Sequence, residues 1–394
     1  MYRLWLIWSV LLVLVCALSA YAVDLPAVVK GSSSDLFLWK QPNGHKIQCV
    51  AVSSNGSAVA YSSPGFGVRV CDGATGALRF TLDTPFGENL QFNSDGSKLV
   101  VPANSTITFF DAKTGDKLKE FDVTKAYEVN HTPIIHAAAL SSDGNKLVCY
   151  VLIARHEQNS TNVIIGWDVD SGAVLFTEAS PAQLFQAAIA FSPDGALFAG
   201  GCADGGPIVF DAKTGKALFT PKQNGKLSQK VAFSADSKTV AAISDISLDV
   251  DGIPMQGLGI LKIDARTGKV LGTKPLAGMN AMTLMEAGKS MPVGWGLSMD
   301  GTFALTGDCD KVNGPDYSNL EEGFDESSLK MTVEGGKLIM YDTATGKVTH
   351  TLKELGYPTY CYAISRDGST AITDGVDGLY VWKLPKTVKP VPAK

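Results

Sequence analysis

The sequence predicts an all-β chain folded as a seven-bladed β-propeller of four-stranded antiparallel blades, and two turn signatures recurring in step carry that prediction. The first falls at Asn55-Gly56, Asp95-Gly96, Asp143-Gly144, Asp194-Gly195, Asp236-Ser237, Asp300-Gly301 and Asp367-Gly368, each after an apolar stretch that ends in a Ser- or Asn-containing pair. The second is an Asp-x-x-Thr/Ser-Gly turn starting at Asp72, Asp111, Asp168, Asp211, Asp264 and Asp342. A short sheet unit cannot bury its faces alone, so units repeated at this spacing must stack on one another, and a ring leaves none unpaired. Seven first-signature turns predict seven blades.

Each element follows from the local pattern. An apolar strand precedes the first turn, as in Val231 to Ser234 or Ile189 to Ser192, and a second follows it, as in Lys98 to Val101 or Leu197 to Gly200. The Asp-Gly pair is a turn-maker: Gly takes a positive φ without steric cost, and Asp bonds its neighbouring backbone. A third strand ends at the second signature with large apolar residues, as in Ile107 to Phe110, Ile164 to Trp167 and Leu338 to Tyr341. The fourth begins after the Gly, as in Lys216 to Thr220 or Lys347 to Leu352.

Alternating Phe-Ser-Pro-Asp-Gly and (Trp/Phe)-Asp-x-x-Thr-Gly turns resemble the WD40 family. Phe191 to Gly195, Phe210 to Gly215 and Trp167-Asp168 carry the likeness best, over roughly Asp35 to Leu384. The family's Gly-His pair survives only at Gly44-His45, so most of its buried hydrogen-bond network is missing. The resemblance implies a scaffold that assembles complexes. Quinoprotein propellers share Asp-x-x-Thr-Gly but add a docking Trp eight residues after the Asp. Here those places hold Phe80, Lys119, Phe176, Phe219, Gly272 and His350, which sets a quinone-binding reading aside, and no cofactor is expected.

Ring closure accounts for both ends. After Asp367-Gly368 the last repeat has a third strand, Gly378 to Leu384, and then Pro385, Pro390 and Pro392, which cannot donate to another ladder. One orphan strand, Asp35 to Lys40, precedes the first repeat and is expected to complete blade seven, closing the edge. The propeller is therefore assigned to residues 32–384, with residues 385–394 as a mobile tail.

Residues 1–22 read as a secretory signal. Arg3 is followed by an apolar run to Val23, and Ala20-Tyr21-Ala22 offers a small-x-small cleavage site. The run is also long enough to remain as an uncleaved anchor, the one route to a membrane. Either way the expected location is extracytoplasmic, periplasmic or secreted. The whole chain carries 34 Lys and Arg against 39 Asp and Glu, and loses only Arg3 among its charges with the signal. Mild acidity without a basic stripe argues against nucleic acid. Of seven cysteines, Cys49 and Cys361 occupy the same place in the first and last repeats. They are expected in neighbouring blades, either as two thiols or as a closing disulfide.

Function is expected where the loops grow. The two signatures emerge on one face of the ring, so the spacing between them measures the loop on the other. It is 16 or 17 residues in repeats one, two and four, but 25, 28 and 42 in three, five and six. The insertions are Ala154 to Asn162, Ser244 to Gly257 and Asp308 to Glu334, and Ala277 to Pro292 adds a fourth extension between blades five and six. Elaboration on one face of a rigid scaffold points to recognition of a protein partner. The candidate binding residues are Arg155, His156, Asp308, Asp310, Asp316, Tyr317, Glu321 and Glu322.

The longest insertion sets eight carboxylates against Lys311 and Lys330, which suits a basic partner or Ca²⁺, although its spacing departs from a calcium loop. Met279, Met282, Met285 and Met291 form either an apolar filling or a soft-metal site. There is no Gly-x-Ser-x-Gly, His-Glu-x-x-His or Cys-x-x-Cys. The leading expectation is a non-catalytic interaction scaffold. The alternatives are a hydrolase or lyase using carboxylates near the channel, and a metal- or glycan-binding module.

Overall fold

The structure is a computed structural model that describes residues 29–30, 37–42, 47–84, 89–127, 133–153, 161–181, 184–203, 205–219, 227–250, 253–280, 295–298, 300–308, 311–313, 332–334, 336–355, 361–375 and 378–384. These form a seven-bladed β-propeller. Blade one shows the plan, with strands Cys49–Val52, Ala58–Ser63, Gly67–Asp72 and Leu78–Leu82 in antiparallel sequence order from the channel outward. Its first turn joins strands one and two, and its Asp72 turn joins three and four, so both signatures leave the sheet at one end. Connections from second to third strands leave at the other.

Buried serines set the first turn. Ser192, fully buried, donates from Oγ to Asp194 Oδ1 at 2.6 Å and accepts the Leu197 N–H at 2.9 Å. Ser53, Ser141, Ser234, Ser298 and Ser365 accept the N–H five residues on in the same way, and Asn93 does so with its side-chain oxygen. The sequence shows this residue only as part of a polar pair, yet it ties the turn to the strand. In the second turn the Asp carboxylate takes backbone and hydroxyl donors, as Asp264 does from Thr267 N at 2.9 Å and Thr267 Oγ1 at 2.8 Å.

Apolar side chains fill the seven spaces between neighbouring blades, one cluster to each. Between blades two and three lie Phe109, Phe121, Leu147 and Trp167, and between three and four Tyr150, Phe176, Phe198 and Phe210. The cluster that closes the ring joins Ile372 and Val381 of blade seven to Val59 and Tyr61 of blade one, with Trp39 between them. Trp39 belongs to the N-terminal strand Phe37–Pro42, which pairs antiparallel with Gly378–Lys383 and supplies the fourth strand of blade seven. Its indole Nε1 donates to Gly73 O of blade one at 2.8 Å. A two-residue strand, Val29–Lys30, adds a fifth position outside it.

Two expectations need correction. Among the described residues, the fourth strand expected at Lys216 to Thr220 shows one bridge, Phe210 to Ala217, and a Leu218 N–H to Val209 O bond of 2.9 Å. Pro221 follows, with no N–H to offer a ladder. Ser244 to Gly257 is not a loop. It continues the ladder between Thr239–Val250 and Ile253–Asp264, twelve residues each, whose register runs unbroken to Val250 opposite Ile253. Alternation of Ile246, Leu248 and Val250 with polar residues supports a strand.

Candidate functional site

The two ends of the ring differ. The end with both signatures carries short turns in every blade. The opposite end carries the blade-five hairpin, whose root is fastened by Ser228 and Ser244: their hydroxyls lie 2.9 Å apart, Ser228 Oγ donates to Gly205 O at 3.0 Å, and Ser244 Oγ donates to Leu227 O at 3.1 Å. Gly259 admits the hairpin's packing, since a Cβ there would lie 2.4 Å from Ile246 Cδ1 and 2.7 Å from Lys274 O. Blade six adds a short hairpin of Lys311–Asn313 with Thr332–Glu334 inside the acidic insertion.

Of the expected binding residues, Asp308 ends the strand Phe303–Asp308, opposite Lys337. Arg155, His156, Asp310, Asp316, Tyr317, Glu321 and Glu322 lie outside the described residues. Met279 falls in the strand Val270–Asn280, and Met282, Met285 and Met291 also lie outside them. No group of three or more His, Cys, Asp or Glu among the described residues could hold a metal. No helix among them is long and apolar enough to cross a membrane.

The innermost strands of all seven blades enclose a channel with a cavity of about 570 Å³. Cys49 and Cys361 face it from adjacent blades one and seven, as their positions imply, and they are thiols that form no disulfide with each other. Cys361 Sγ donates to Gln48 O at 2.8 Å, while Cys49 Sγ accepts the Leu90 N–H at 3.2 Å from blade two. The two sulfurs thus turn the same way around the ring rather than toward each other. Lys230 of blade five and His136 of blade three also line the wall, and burial pushes both below their ordinary pKa values. The described lining holds no carboxylate, so a channel hydrolase using paired carboxylates finds no support there. The sequence gave no sign of Lys230, because a channel position follows from strand register and not from residue type.

Contacts between blades also answer the docking question. Eight residues past three of the six second-signature Asp residues, a phenylalanine ring packs on the turn Gly of the next blade. A Cβ on Gly215 would lie 2.2 Å from Phe176, one on Gly268 2.5 Å from Phe219, and one on Gly115 2.9 Å from Phe80. Lys119 fills the same role in blade two by donating from Nζ to Asp170 O at 2.8 Å and to Val169 O. Phe and Lys therefore do what the sequence, searched for Trp, shows as missing.

These features define a closed seven-bladed propeller with docked blades. A family model described as outer membrane protein assembly factor BamB matches residues 103–293, a little under half of the chain. Among solved structures, the β-propeller domain of Myceliophteria thermophila Cps50 (Swd1) is similar with a TM-score of 0.58 at 11% identity, covering 88% of this chain and 98% of that one. At that identity the likeness concerns the fold alone. No curated protein matches the sequence.

Proposed function

We propose that this chain is an exported, non-catalytic, WD40-like propeller that acts as a protein-interaction scaffold through the elaborated face of blades three, five and six. One observation carries the reading: on that face alone, blade five extends a paired hairpin of two twelve-residue strands, where most other strands have about six. Six extra residues per strand project about 20 Å past the neighbouring blades. A hairpin of that length is a costly thing to hold out in solvent unless its edge or face meets another surface.

The match to the outer membrane assembly factor model supports a partner that is a protein and a location outside the cytoplasm. In this reading residues 1–22 direct export, residues 32–384 form the propeller and residues 385–394 form a tail. Arg155, His156 and the acidic residues Asp308, Asp310, Asp316, Glu321 and Glu322, with Tyr317, contribute to the contact, and the net negative charge of the blade-six insertion selects a basic patch on the partner.

The test is affinity capture from an envelope fraction with three proteins: the full chain, a variant with the hairpin shortened by joining Ser247 to Gln256 through a two-residue turn, and a variant lacking residues 314–331. The expected result is one partner captured by the full chain and lost from the shortened hairpin, with weaker, salt-sensitive capture by the second variant. Equal capture by all three would place the interface elsewhere.

A further inference from the structure

We propose that the central channel is a binding site for a small molecule bearing a carboxylate or phosphate group, with Lys230 as its main anchor. The channel's charge is the first reason. The chain is acidic overall, yet the described channel lining has Lys230, Arg366 and His136 and no carboxylate. Lys230 is half-buried in the channel wall with no carboxylate in the described lining, and binding an anion there offsets the water it has lost.

Register places Lys230 within the ring. It lies four residues before the turn serine Ser234 and pairs with Ile243, nine residues after it. Cys49 stands in the same relation to Ser53 and Ser62. Cys361, four residues before Ser365, shares that level, and its N–H donates to Asp374 Oδ1, again on the residue nine beyond the turn serine, at 2.8 Å. The level thus holds an ammonium from blade five and thiols from blades one and seven, and Lys230 is close enough to feel both sulfurs. Thiols, unlike carboxylates, are not standing counter-ions. Among the described residues, this level holds Cys49, Asn89, Ala137, Ala188, Lys230 and Cys361, with no acid among them.

Neutral donors point to the same kind of ligand. Trp295 of blade six lines the cavity and is 1% exposed, and its indole Nε1 has no acceptor among the described residues. Gln91 of blade two accepts the Leu140 N–H on Oε1 at 3.0 Å, which leaves its NH₂ as the end available to a guest. At the tight-turn mouth Arg366 reaches from blade seven to Ser142 Oγ of blade three at 3.5 Å, so a second cation spans the entrance. The cavity volume suits a small molecule rather than a chain segment.

The experiment is calorimetric titration of the purified protein with inorganic phosphate and, separately, with succinate, ionic strength being held constant with chloride. Saturable binding of phosphate alone assigns a phosphate-bearing ligand, and of succinate alone a carboxylate. Binding of both supports an oxyanion site without preference. Lys230→Met is expected to weaken binding at least tenfold, while Lys238→Met, on an exposed turn, leaves it unchanged. In the wild-type protein, acetylation of Lys230 followed by mass spectrometry is expected to slow at least fivefold in the anion that binds, a readout that needs no variant to fold. Absence of saturable binding in both titrations, wild-type affinity in Lys230→Met, or acetylation of Lys230 unaffected by the anion would each overturn the proposal.

Discussion

At the scale of single residues, the turns show how little side chain a repeat needs. A buried hydroxyl such as Ser192 holds the buried Leu197 N–H, so Ser192→Ala leaves that N–H without its side-chain acceptor and should destabilise the protein by about 1–3 kcal/mol, read as a lower urea midpoint. Ser237 is the contrary case. It occupies the turn position that is Gly in six other repeats and sits at φ 61°, where a side chain is strained. Ser237→Gly should therefore raise stability, by up to about 1 kcal/mol, less what Ser237 Oγ contributes by accepting the Asp194 N–H at 3.2 Å. A lower midpoint for Ser237→Gly would mean that this inter-blade bond outweighs the backbone strain.

The turn aspartates also set the acid limit. Arg79 donates to Asp72 at 2.8 Å and, with Thr75, holds its carboxyl down to about 2. Hydroxyl and backbone donors lower Asp95, Asp168, Asp236 and Asp264 too. A carboxyl whose folded pKa lies below its unfolded value of about 3.9 adds stability that is complete above the unfolded value and lost as pH falls through the folded one. Urea midpoints should thus be flat above about pH 5 and fall between about pH 4 and 2, and Arg79→Met should flatten the lower part of that fall. An Arg79→Met protein with the wild-type acid profile would remove Asp72 from this account.

Elements explain which parts of the fold were legible in the sequence. Blade number, turn positions and the closing strand follow from periodic apolar runs and Asp-Gly pairs, which are local. The blade-five hairpin reads as a loop when the spacing between the two signatures is taken as loop length, and pairing of Thr239–Val250 with Ile253–Asp264 turns the alternation of apolar residues with Asp245, Ser247 and Asp249 into strands. Interblade docking was missed for a related reason: the contact requires a flat or long side chain over a bare Gly, and Phe80, Phe176 and Phe219 satisfy it as well as Trp. The channel was legible only in part: ring closure brings Cys49 and Cys361 into adjacent blades as their matching positions imply, but nothing local marks Lys230 as facing the same channel. Of the surface candidates, Asp308 alone falls among described residues.

Docking yields a prediction at this scale. Phe176 packs on Gly215 of the next blade and on Gly166 of its own, and stacks 6.2 Å from Phe198. Phe176→Ala removes all three contacts and should destabilise by about 3–5 kcal/mol. Phe176→Trp, larger but of the same flat shape, should recover part of that loss if the space over Gly215 admits the wider ring, as calorimetric unfolding can establish.

For the whole molecule, stability is a property of closure. Every blade buries both faces against its neighbours, and the last interface forms only when Phe37–Pro42 joins Gly378–Lys383 and carries Trp39 into the cluster shared with blade one. Two effects can be separated by truncation and substitution. Trp39→Ala keeps the ladder but removes the largest side chain of that cluster and its bond to Gly73 O, which should cost about 3–5 kcal/mol while leaving a monomer. Deleting residues 1–42 removes the strand itself and exposes the backbone of Gly378–Lys383 as an unpaired edge, the kind of edge that recruits a strand from another chain. The truncated protein should therefore unfold at lower urea and also self-associate, with mass measured by light scattering rising with concentration. Trp39→Ala should show the first effect without the second. A truncated chain that stays monomeric at high concentration would mean that blade seven closes without its borrowed strand, and the N-terminal segment would then add packing but no protection of the edge.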